Sequence, residues 1–183
     1  MDKNLDKILK ARDERWNRAM LAIAAVDSLP RSEGSSALVL ATMNIPGPEK
    51  DSPLISRSFD LALMDLRAAL KGETEEIHLL LLEKGTGDAG PYAFFRTIGE
   101  MNSRELKIAL SHFEESHPIG RWLDLDVRRL DGSAVSRENL SLEPRKCFLC
   151  DRNAKECSRS RQHSLRELLL FTTEALEKYV KER

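Results

Sequence analysis

The sequence is poor in aromatic residues, which make up 5% of 183 positions, and its three cysteines all fall within residues 147–157. No uninterrupted apolar run approaches the roughly 20 residues that a helix needs to cross a bilayer. The charged N-terminus, MDKNLDKILKARDERW, lacks the apolar segment of a secretory signal. These absences predict a cytoplasmic protein with no membrane partner, in which the cysteines bind metal or pack reduced rather than form a disulfide framework.

Neither sign of charge dominates. With 29 basic and 30 acidic residues the net charge is −1, so the composition does not predict a nucleic-acid partner. A hydrophobic content of 41% with 32% charged residues is typical of a soluble globular protein. We expect one domain over residues 1–183: an N-terminal helix and loop in 1–35, an α+β core in 36–140, and a basic, cysteine-rich segment with a terminal helix in 141–183.

Hydrophobic periodicity predicts the order strand, helix, strand, strand, helix, strand in the core. Strands are expected at 36–43, 77–83, 91–98 and 123–127, with a short return strand around Val135. Helices are expected at 3–26, from Pro53 to a stop at Gly72, at 103–116 and after Ser164, with a loop at 27–35. This order is that of a ferredoxin-like antiparallel sheet with both core helices on one face. A nucleotidyltransferase-type α+β sheet is the alternative.

The most informative motif is HPIGRWLDLDV at residues 117–127. Side chains alternate along a strand, so the leucines and valine can face a core while the polar residues share the opposite face. That second set is Trp122, Asp124, Asp126 and Arg128. Adjacent carboxylates repel each other unless a cation lies between them, and Mg²⁺ is the usual one beside a phosphate. An amphipathic strand with a solvated acidic edge gives the same pattern.

Residues around this motif offer groups for binding phosphate. Gly120 permits close backbone approach, and Arg121 supplies a planar cation. In NIPGPEKD, residues 44–51, Gly47 allows a sharp, open turn and Lys50 adds a positive charge before a helix N-terminus. A rigid connector would explain this loop equally well.

The C-terminal segment has the spacing of a metal site. Cys147 and Cys150 form a C-x-x-C pair, and Cys157 and His163 complete a tetrahedral set suited to Zn²⁺. Three reduced, partly buried cysteines are the alternative. The same segment carries seven cations against Asp151 and Glu156: Arg145, Lys146, Arg152, Lys155, Arg159, Arg161 and Arg166. This excess is typical of a solvated loop, but it would also steer a polyphosphate.

Four motifs together resemble the apo-citrate lyase phosphoribosyl-dephospho-CoA transferase family, also called holo-citrate lyase synthase. They are RDERW, NIPGPEKDS, HPIGRWLDLDV and PRKCFLCDRNAKECSRSRQHS. The family pattern reads roughly HPLGRLWDLDV and then PRRCLLC, so the order of Trp122 and Leu123 is a departure.

The resemblance implies transfer of phosphoribosyl-dephospho-CoA from triphosphoribosyl-dephospho-CoA to a serine of the apo acyl carrier subunit of citrate lyase, with release of pyrophosphate. For this reaction our hypothesis is that Asp124 and Asp126 hold Mg²⁺ against the triphosphate and that one of them accepts the serine proton. Arg121 would stabilise phosphoryl charge. The further candidates for phosphate or carrier contact are Arg12, Arg15, Gly47, Lys50, Gly120, Arg159 and Arg161.

Two other functions fit parts of the sequence. GRWLDLDV is similar to the TLDLDI strand of hydroxymethyl-dihydropterin pyrophosphokinase, a ferredoxin-like enzyme, which makes an ATP-dependent pyrophosphokinase the second candidate. A zinc module that binds nucleic acid is the third, although the basic segment has no tryptophan or tyrosine for base stacking.

Overall fold

Five strands form one antiparallel sheet in the computed structural model, which describes residues 3–27, 37–71, 77–99 and 101–183. The strands are β1 (Ala37–Met43), β2 (His78–Gly85), β3 (Tyr92–Ile98), β4 (Leu123–Arg129) and β5 (Ala134–Val135). The helices are α1 (Lys3–Asp27), α2 (Pro53–Leu70), α3 (Ser103–Ser116), α4 (Ala154–Arg159) and α5 (Leu165–Lys181). Single 3₁₀ turns lie at Gly120–Trp122 and Glu138–Leu140.

The strand order is β2-β3-β1-β4-β5. The first four strands have the order of a ferredoxin-like sheet, and β5 adds a short edge by pairing with Val127 and Arg128. The predicted α+β fold is therefore confirmed, as are the N-terminal and C-terminal helices. Residues 28–35 of the predicted loop and the predicted helix stop Gly72 lie outside the described residues.

Local sequence signals explain where the core helices begin. Ser52 caps α2, because its Oγ accepts a hydrogen bond from the Ile55 N–H at 3.3 Å and Pro53 needs no donor partner. Asn102 caps α3, because its Oδ1 accepts a hydrogen bond from the Glu105 N–H, and the Glu105 carboxylate accepts one from the Asn102 N–H. No helix among the described residues is long and apolar enough to cross a membrane.

The two faces of the sheet are covered differently. Helices α2 and α3 pack on one face and bury the larger core, which includes Phe59, Leu110 and Leu125. On the other face α1 contributes Ala19 and Ile23 to a smaller cluster. Its N-terminal half extends over the part of the sheet where polar side chains of β4 emerge, and this arrangement creates a cavity.

The outer edge of β4 is completed by side chains of α3. The Leu125 N–H donates to Glu114 Oε1 at 2.7 Å, and Lys107 Nζ donates to the Leu125 carbonyl at 2.7 Å. Both α3 side chains are buried. Because β5 pairs only with residues 127 and 128, these two bonds take over the role of a neighbouring strand at Leu125.

The prediction that Trp122 shares a face with the aspartates is wrong. Trp122 ends the 3₁₀ turn before β4 begins, so the strand alternation starts only at Leu123. Its ring is buried and stacks on Phe148 and Phe171, and its Nε1–H donates to Thr172 Oγ1 at 3.0 Å. Trp122 therefore anchors the cysteine-rich segment and α5 to the core.

Candidate active site

Asp124 and Asp126 emerge side by side from β4 into a cavity of about 430 Å³. Their strand partners on β1 are Thr42 and Leu40 respectively. The cavity lies between this face of the sheet, α1 and the loop that follows β1. Its walls are Arg12, Arg15, Trp16, Leu40, Thr42, Met43, Asn44, Ile45, Lys50, Ala89, Asp124, Asp126 and Arg128. The structure thus brings five of the predicted site residues together: Arg12, Arg15, Lys50, Asp124 and Asp126.

Asp124 is held in place by an arginine from the cysteine-rich segment. Arg145 Nη2 lies 2.8 Å from Asp124 Oδ1 and 2.5 Å from Glu114 Oε1, and its Nη1 donates to the Leu123 carbonyl at 3.1 Å. Burial raises the pKa of Glu114, while the nearby Arg145 and Lys107 oppose that shift. Arg145 therefore couples a buried carboxylate to one in the cavity and fixes the Asp124 rotamer.

Asp126 has a different environment. Its side chain is 52% exposed, and Oδ1 lies 3.9 Å from Lys107 Nζ. Partial desolvation and the negative charge of Asp124 raise the pKa of Asp126, although Lys107 and Arg145 oppose the shift. A bound cation would relieve the repulsion between two neighbouring carboxylates. Among the described residues, these two are the carboxylates of the cavity wall, so a Mg²⁺ held here would take its remaining ligands from water and phosphate.

All other charged side chains of the described cavity wall are cations: Arg12, Arg15, Lys50 and Arg128. Burial and the neighbouring Arg12 lower the pKa of both Arg15 and Lys50. Arg15 Nη1 donates to the Ala89 carbonyl at 3.4 Å, and the Lys50 ammonium donates to the Ile45 carbonyl. Crowding among cations is relieved by an anion, and a polyphosphate is the anion that would also share a metal with the aspartates.

Hydrogen bonds join the two loops that contribute Lys50 and Ala89 to the cavity wall. The Asp51 carboxylate accepts hydrogen bonds from Ser56 Oγ at 2.7 Å and from Thr86 Oγ1 at 2.6 Å, which links the loop before α2 to the β2–β3 hairpin. Gly90, at φ +87°, approaches the Lys50 backbone so closely that an added Cβ would lie 2.7 Å from its carbonyl oxygen. Glycine is required at residue 90 because its φ is positive and because a side chain would collide with the Lys50 backbone.

The other predicted site residues lie elsewhere. Arg121 donates to the Cys147 carbonyl at 2.9 Å and is not part of the wall around the aspartates. Gly120 packs against α3, since a Cβ would lie 2.4 Å from the Glu114 carbonyl oxygen. Arg159 is exposed on α4. Gly47 and Arg161 line a second cavity, described below.

Sequence reasoning missed three residues that organise the site: Lys107, Glu114 and Arg145. Arg145 was visible only as one of seven cations in the basic segment. Lys107 and Glu114 have charges typical of surface residues, yet helical spacing places both beside Leu110 on the buried side of α3. A lysine and a glutamate seven residues apart, two helical turns, share a helix face, and this was the available signal.

The predicted metal ligands of the C-terminal segment converge. One ligand atom from each of Cys147, Cys150, Cys157 and His163 lies within 4.8 Å of all the others. Cys150 Sγ is 3.9 Å from Cys157 Sγ and 3.3 Å from His163 Nε2. Sulfur ligands about 2.3 Å from a tetrahedral zinc are separated by about 3.8 Å. The cluster could therefore hold a metal such as zinc.

The close approach of the thiols to one another favours a bound cation. Burial, together with hydrogen bonds that the Cys157 thiol donates to Cys147 and Cys150, raises the pKa of Cys157 to about 12. At Cys147, burial acts in the same direction but is outweighed by hydrogen bonds from the Leu149 backbone and from Cys157, so its pKa is lowered. Neighbouring thiolates repel, and a divalent metal removes that repulsion by binding all of them in the ionised form.

Comparison with known proteins places the chain in a family. A family profile described as apo-citrate lyase phosphoribosyl-dephospho-CoA transferase matches residues 3–179. A probable apo-citrate lyase phosphoribosyl-dephospho-CoA transferase of Streptococcus pyogenes serotype M18 is 36% identical over 178 residues, 96% of this chain and 86% of the relative. The transferase of that name from Citrobacter koseri is 33% identical over 168 residues, 91% and 85% of the two chains. The chain is therefore an enzyme that belongs to the apo-citrate lyase phosphoribosyl-dephospho-CoA transferase family.

Proposed function

We propose that this enzyme transfers phosphoribosyl-dephospho-CoA from triphosphoribosyl-dephospho-CoA to a serine of the acyl carrier subunit of apo-citrate lyase, and that pyrophosphate leaves. The observation that carries the proposal is the carboxylate pair Asp124 and Asp126 inside a cavity otherwise rich in cations. The family match supplies the acceptor, because its relatives are named for apo-citrate lyase.

The triphosphate would lie in this cavity. Arg12, Arg15 and Lys50 would bind its outer phosphates, which become the leaving pyrophosphate. Asp124 and Asp126 would hold Mg²⁺, which when bound neutralises charge on the phosphate oxygens. Phosphoryl transfer needs mainly positioning and charge stabilisation from a protein, and this wall offers both.

We assign the proton transfer to Asp126. Asp124 is engaged by Arg145 at 2.8 Å, whereas the Asp126 side chain is half exposed toward the cavity. The serine Oγ would form a bond to the innermost phosphorus while the bond from that phosphorus to the pyrophosphate oxygen breaks. The serine proton would pass to the Asp126 carboxylate, and a phosphodiester would result.

The carrier subunit would dock on the basic outer surface of the C-terminal segment. Arg152, Lys155, Arg159 and Arg166 are all exposed there. Carrier proteins commonly present acidic surfaces, so complementary charge would speed their association and make it sensitive to salt. We also propose that the four-ligand cluster holds one structural Zn²⁺.

The test is intact-mass spectrometry of the apo carrier subunit incubated with the enzyme, triphosphoribosyl-dephospho-CoA and Mg²⁺. We expect a mass gain of one phosphoribosyl-dephospho-CoA with equimolar pyrophosphate. Asp124→Asn and Asp126→Asn should each lower the rate by about 10²–10⁴-fold, the range typical of lost general-base and charge-stabilising groups. Glu177→Gln, an exposed carboxylate on α5, is the matched control and should retain the rate.

Two results would reject the proposal. Absence of a mass gain with folded enzyme would reject the substrates, and AMP formation from ATP with a small acceptor would then identify a pyrophosphokinase. Near-normal turnover in both aspartate variants would instead reject the site.

A further inference from the structure

A second cavity of about 570 Å³ lies beside the one that contains the aspartates. It is enclosed by the loop after β1, the cysteine-rich segment and the start of α5. Asn44, Ile45 and Lys50 line both cavities. Arg145 also lines the second cavity while it contacts Asp124 in the first. A ligand with its phosphates on the aspartates could therefore continue into this space.

The walls of the second cavity combine apolar and cationic side chains, and they also include Cys147, Cys157 and His163 of the four-ligand cluster. Phe148, Leu165 and Leu168 provide apolar surface. The cations are Lys50, Arg121, Arg145, Lys146 and Arg161, and no carboxylate belongs to this wall in the part of the chain that the structure describes. Such a mixture suits a molecule that carries both phosphates and a long, largely apolar arm.

Arg161 is the distinctive residue of this wall. Its backbone has φ +49°, a left-handed conformation that few residues other than glycine and asparagine adopt readily. Its side chain makes no ion pair with any residue in the described ranges, unlike Arg145, which is bound on two sides. This left-handed residue follows the C-cap of α4 and ends that helix, and it places the exposed Arg161 guanidinium at the cavity wall, where it can bind an anion.

We infer that the second cavity binds the dephospho-CoA part of the donor, the part that does not react. Its diphosphate would contact Arg161 and Lys146, and its pantetheine arm would lie along Phe148, Leu165 and Leu168. This inference rests on the proposed function, because it assumes that the triphosphate end occupies the neighbouring cavity. The donor would then bind through two separate regions, one for the reacting phosphates and one for the group that is carried.

The inference is tested with dephospho-CoA alone, titrated into the full chain by calorimetry without Mg²⁺. We expect saturable binding that Arg161→Ala and Lys146→Ala each weaken by about tenfold, as expected for loss of a charge-assisted hydrogen bond. Arg104→Ala, an exposed arginine on α3 outside both cavities, should bind like the parent protein. Thermal unfolding of each variant verifies that it is folded.

A competition experiment separates the two cavities. Inorganic tripolyphosphate with Mg²⁺ should leave dephospho-CoA affinity unchanged, and Asp124→Asn should weaken tripolyphosphate but not dephospho-CoA. Displacement of dephospho-CoA by tripolyphosphate, or unchanged affinity in both basic-residue variants, would overturn the inference. If the parent enzyme still modified the carrier subunit in either case, the proposed function would stand; failure of that modification would reject the function independently.

Discussion

Two buried charged side chains supply the hydrogen bonds to Leu125 that the short neighbouring strand β5 does not reach. Lys107 and Glu114 reach from α3 to the carbonyl and the N–H of Leu125, at 2.7 Å each. Both charges are compensated, Glu114 by Arg137 and Arg145, and Lys107 by its proximity to Asp126. The strand that carries the aspartates is thereby fixed at its outer edge.

Replacing Lys107 tests whether its side chain stabilises the outer edge of β4. Lys107→Met keeps most of the side-chain volume but leaves the Leu125 carbonyl without its donor, so we expect the free energy of unfolding to fall by about 1–3 kcal/mol. Urea denaturation measures the change. Lys178→Met removes an exposed lysine from α5 and should change stability by less than about 0.5 kcal/mol. Equal stability of the two variants would contradict the capping role.

His117 joins three helices through one carboxylate. Its Nδ1 accepts a bond from the Ile119 N–H at 3.3 Å, which assigns the ring proton to Nε2, 3.0 Å from Asp65 Oδ2. Asp65 also accepts bonds from Tyr179 at 2.6 Å and from Arg183. Burial lowers the pKa of His117 despite the favourable Asp65 carboxylate.

The lowered pKa predicts a pH dependence of stability. Below the ordinary histidine value of 6.5 the unfolded chain takes up the proton first, so the free energy of unfolding should decrease as pH falls from about 6.5 through the folded-state pKa. In His117→Gln this slope should be reduced, as measured by urea unfolding at a series of pH values from 7 to 5. His112→Gln, an exposed histidine of α3, should keep the slope. A slope unchanged in His117→Gln would show that other groups cause it.

At the scale of elements, α1 serves as one wall of the candidate active site. It buries only Ile8, Ala19 and Ile23 among its described side chains, so its attachment to the sheet is limited. Trp16 lies under the Arg128 guanidinium, whose carbon is 4.4 Å from the ring centroid, and this contact links α1 to β4. The helix thus brings Arg12 and Arg15 to the aspartates.

Arg15 and Arg18, one helical turn apart on α1, test whether this helix binds the donor or only packs on the sheet. Arg15→Gln removes a cation from the aspartate cavity, and we expect the KM for the nucleotide donor to rise about 10–100-fold, the worth of a charge-assisted phosphate contact. Arg18→Gln is the matched control, because Arg18 lies outside that cavity and bonds Glu83 and Tyr92 at 3.0 Å each. Steady-state kinetics at varied donor concentration gives the KM of each variant. An equal rise in both variants would mean that α1 contributes only general charge.

The sequence predicted the elements better than their contacts. The alternation of Leu123, Leu125 and Val127 is a local property of one strand, and it correctly assigned the aspartates to the opposite face. The prediction for Trp122 was wrong because this residue belongs to the 3₁₀ turn before β4, and the alternation of side chains begins only at Leu123. Arg145 could not be identified in advance, because its approach to Asp124 spans 21 residues and depends on how the cysteine-rich segment folds back.

At the scale of the whole molecule, three distant parts of the chain form the candidate site. Helix α1 supplies cations, β4 supplies the carboxylates, and the cysteine-rich segment supplies Arg145. Arg145 lies two residues before Cys147, whose N–H donates to the Arg152 carbonyl at 2.8 Å in the turn that gathers the four potential metal ligands. The position of Arg145 therefore depends on the order of that cluster.

This dependence predicts that metal affects both folding and activity. Metal analysis of protein purified under reducing, chelator-free conditions should find about one zinc per chain, and His163→Ala should lose most of it, lower the melting temperature and reduce carrier modification. Restoring zinc to parent protein that has been stripped with a chelator should recover the melting temperature and the carrier modification. His112→Ala should retain metal, stability and activity, since His112 is exposed and outside the cluster. Parent protein that contains no zinc yet shows full activity would contradict the prediction and leave the three cysteines with a packing role.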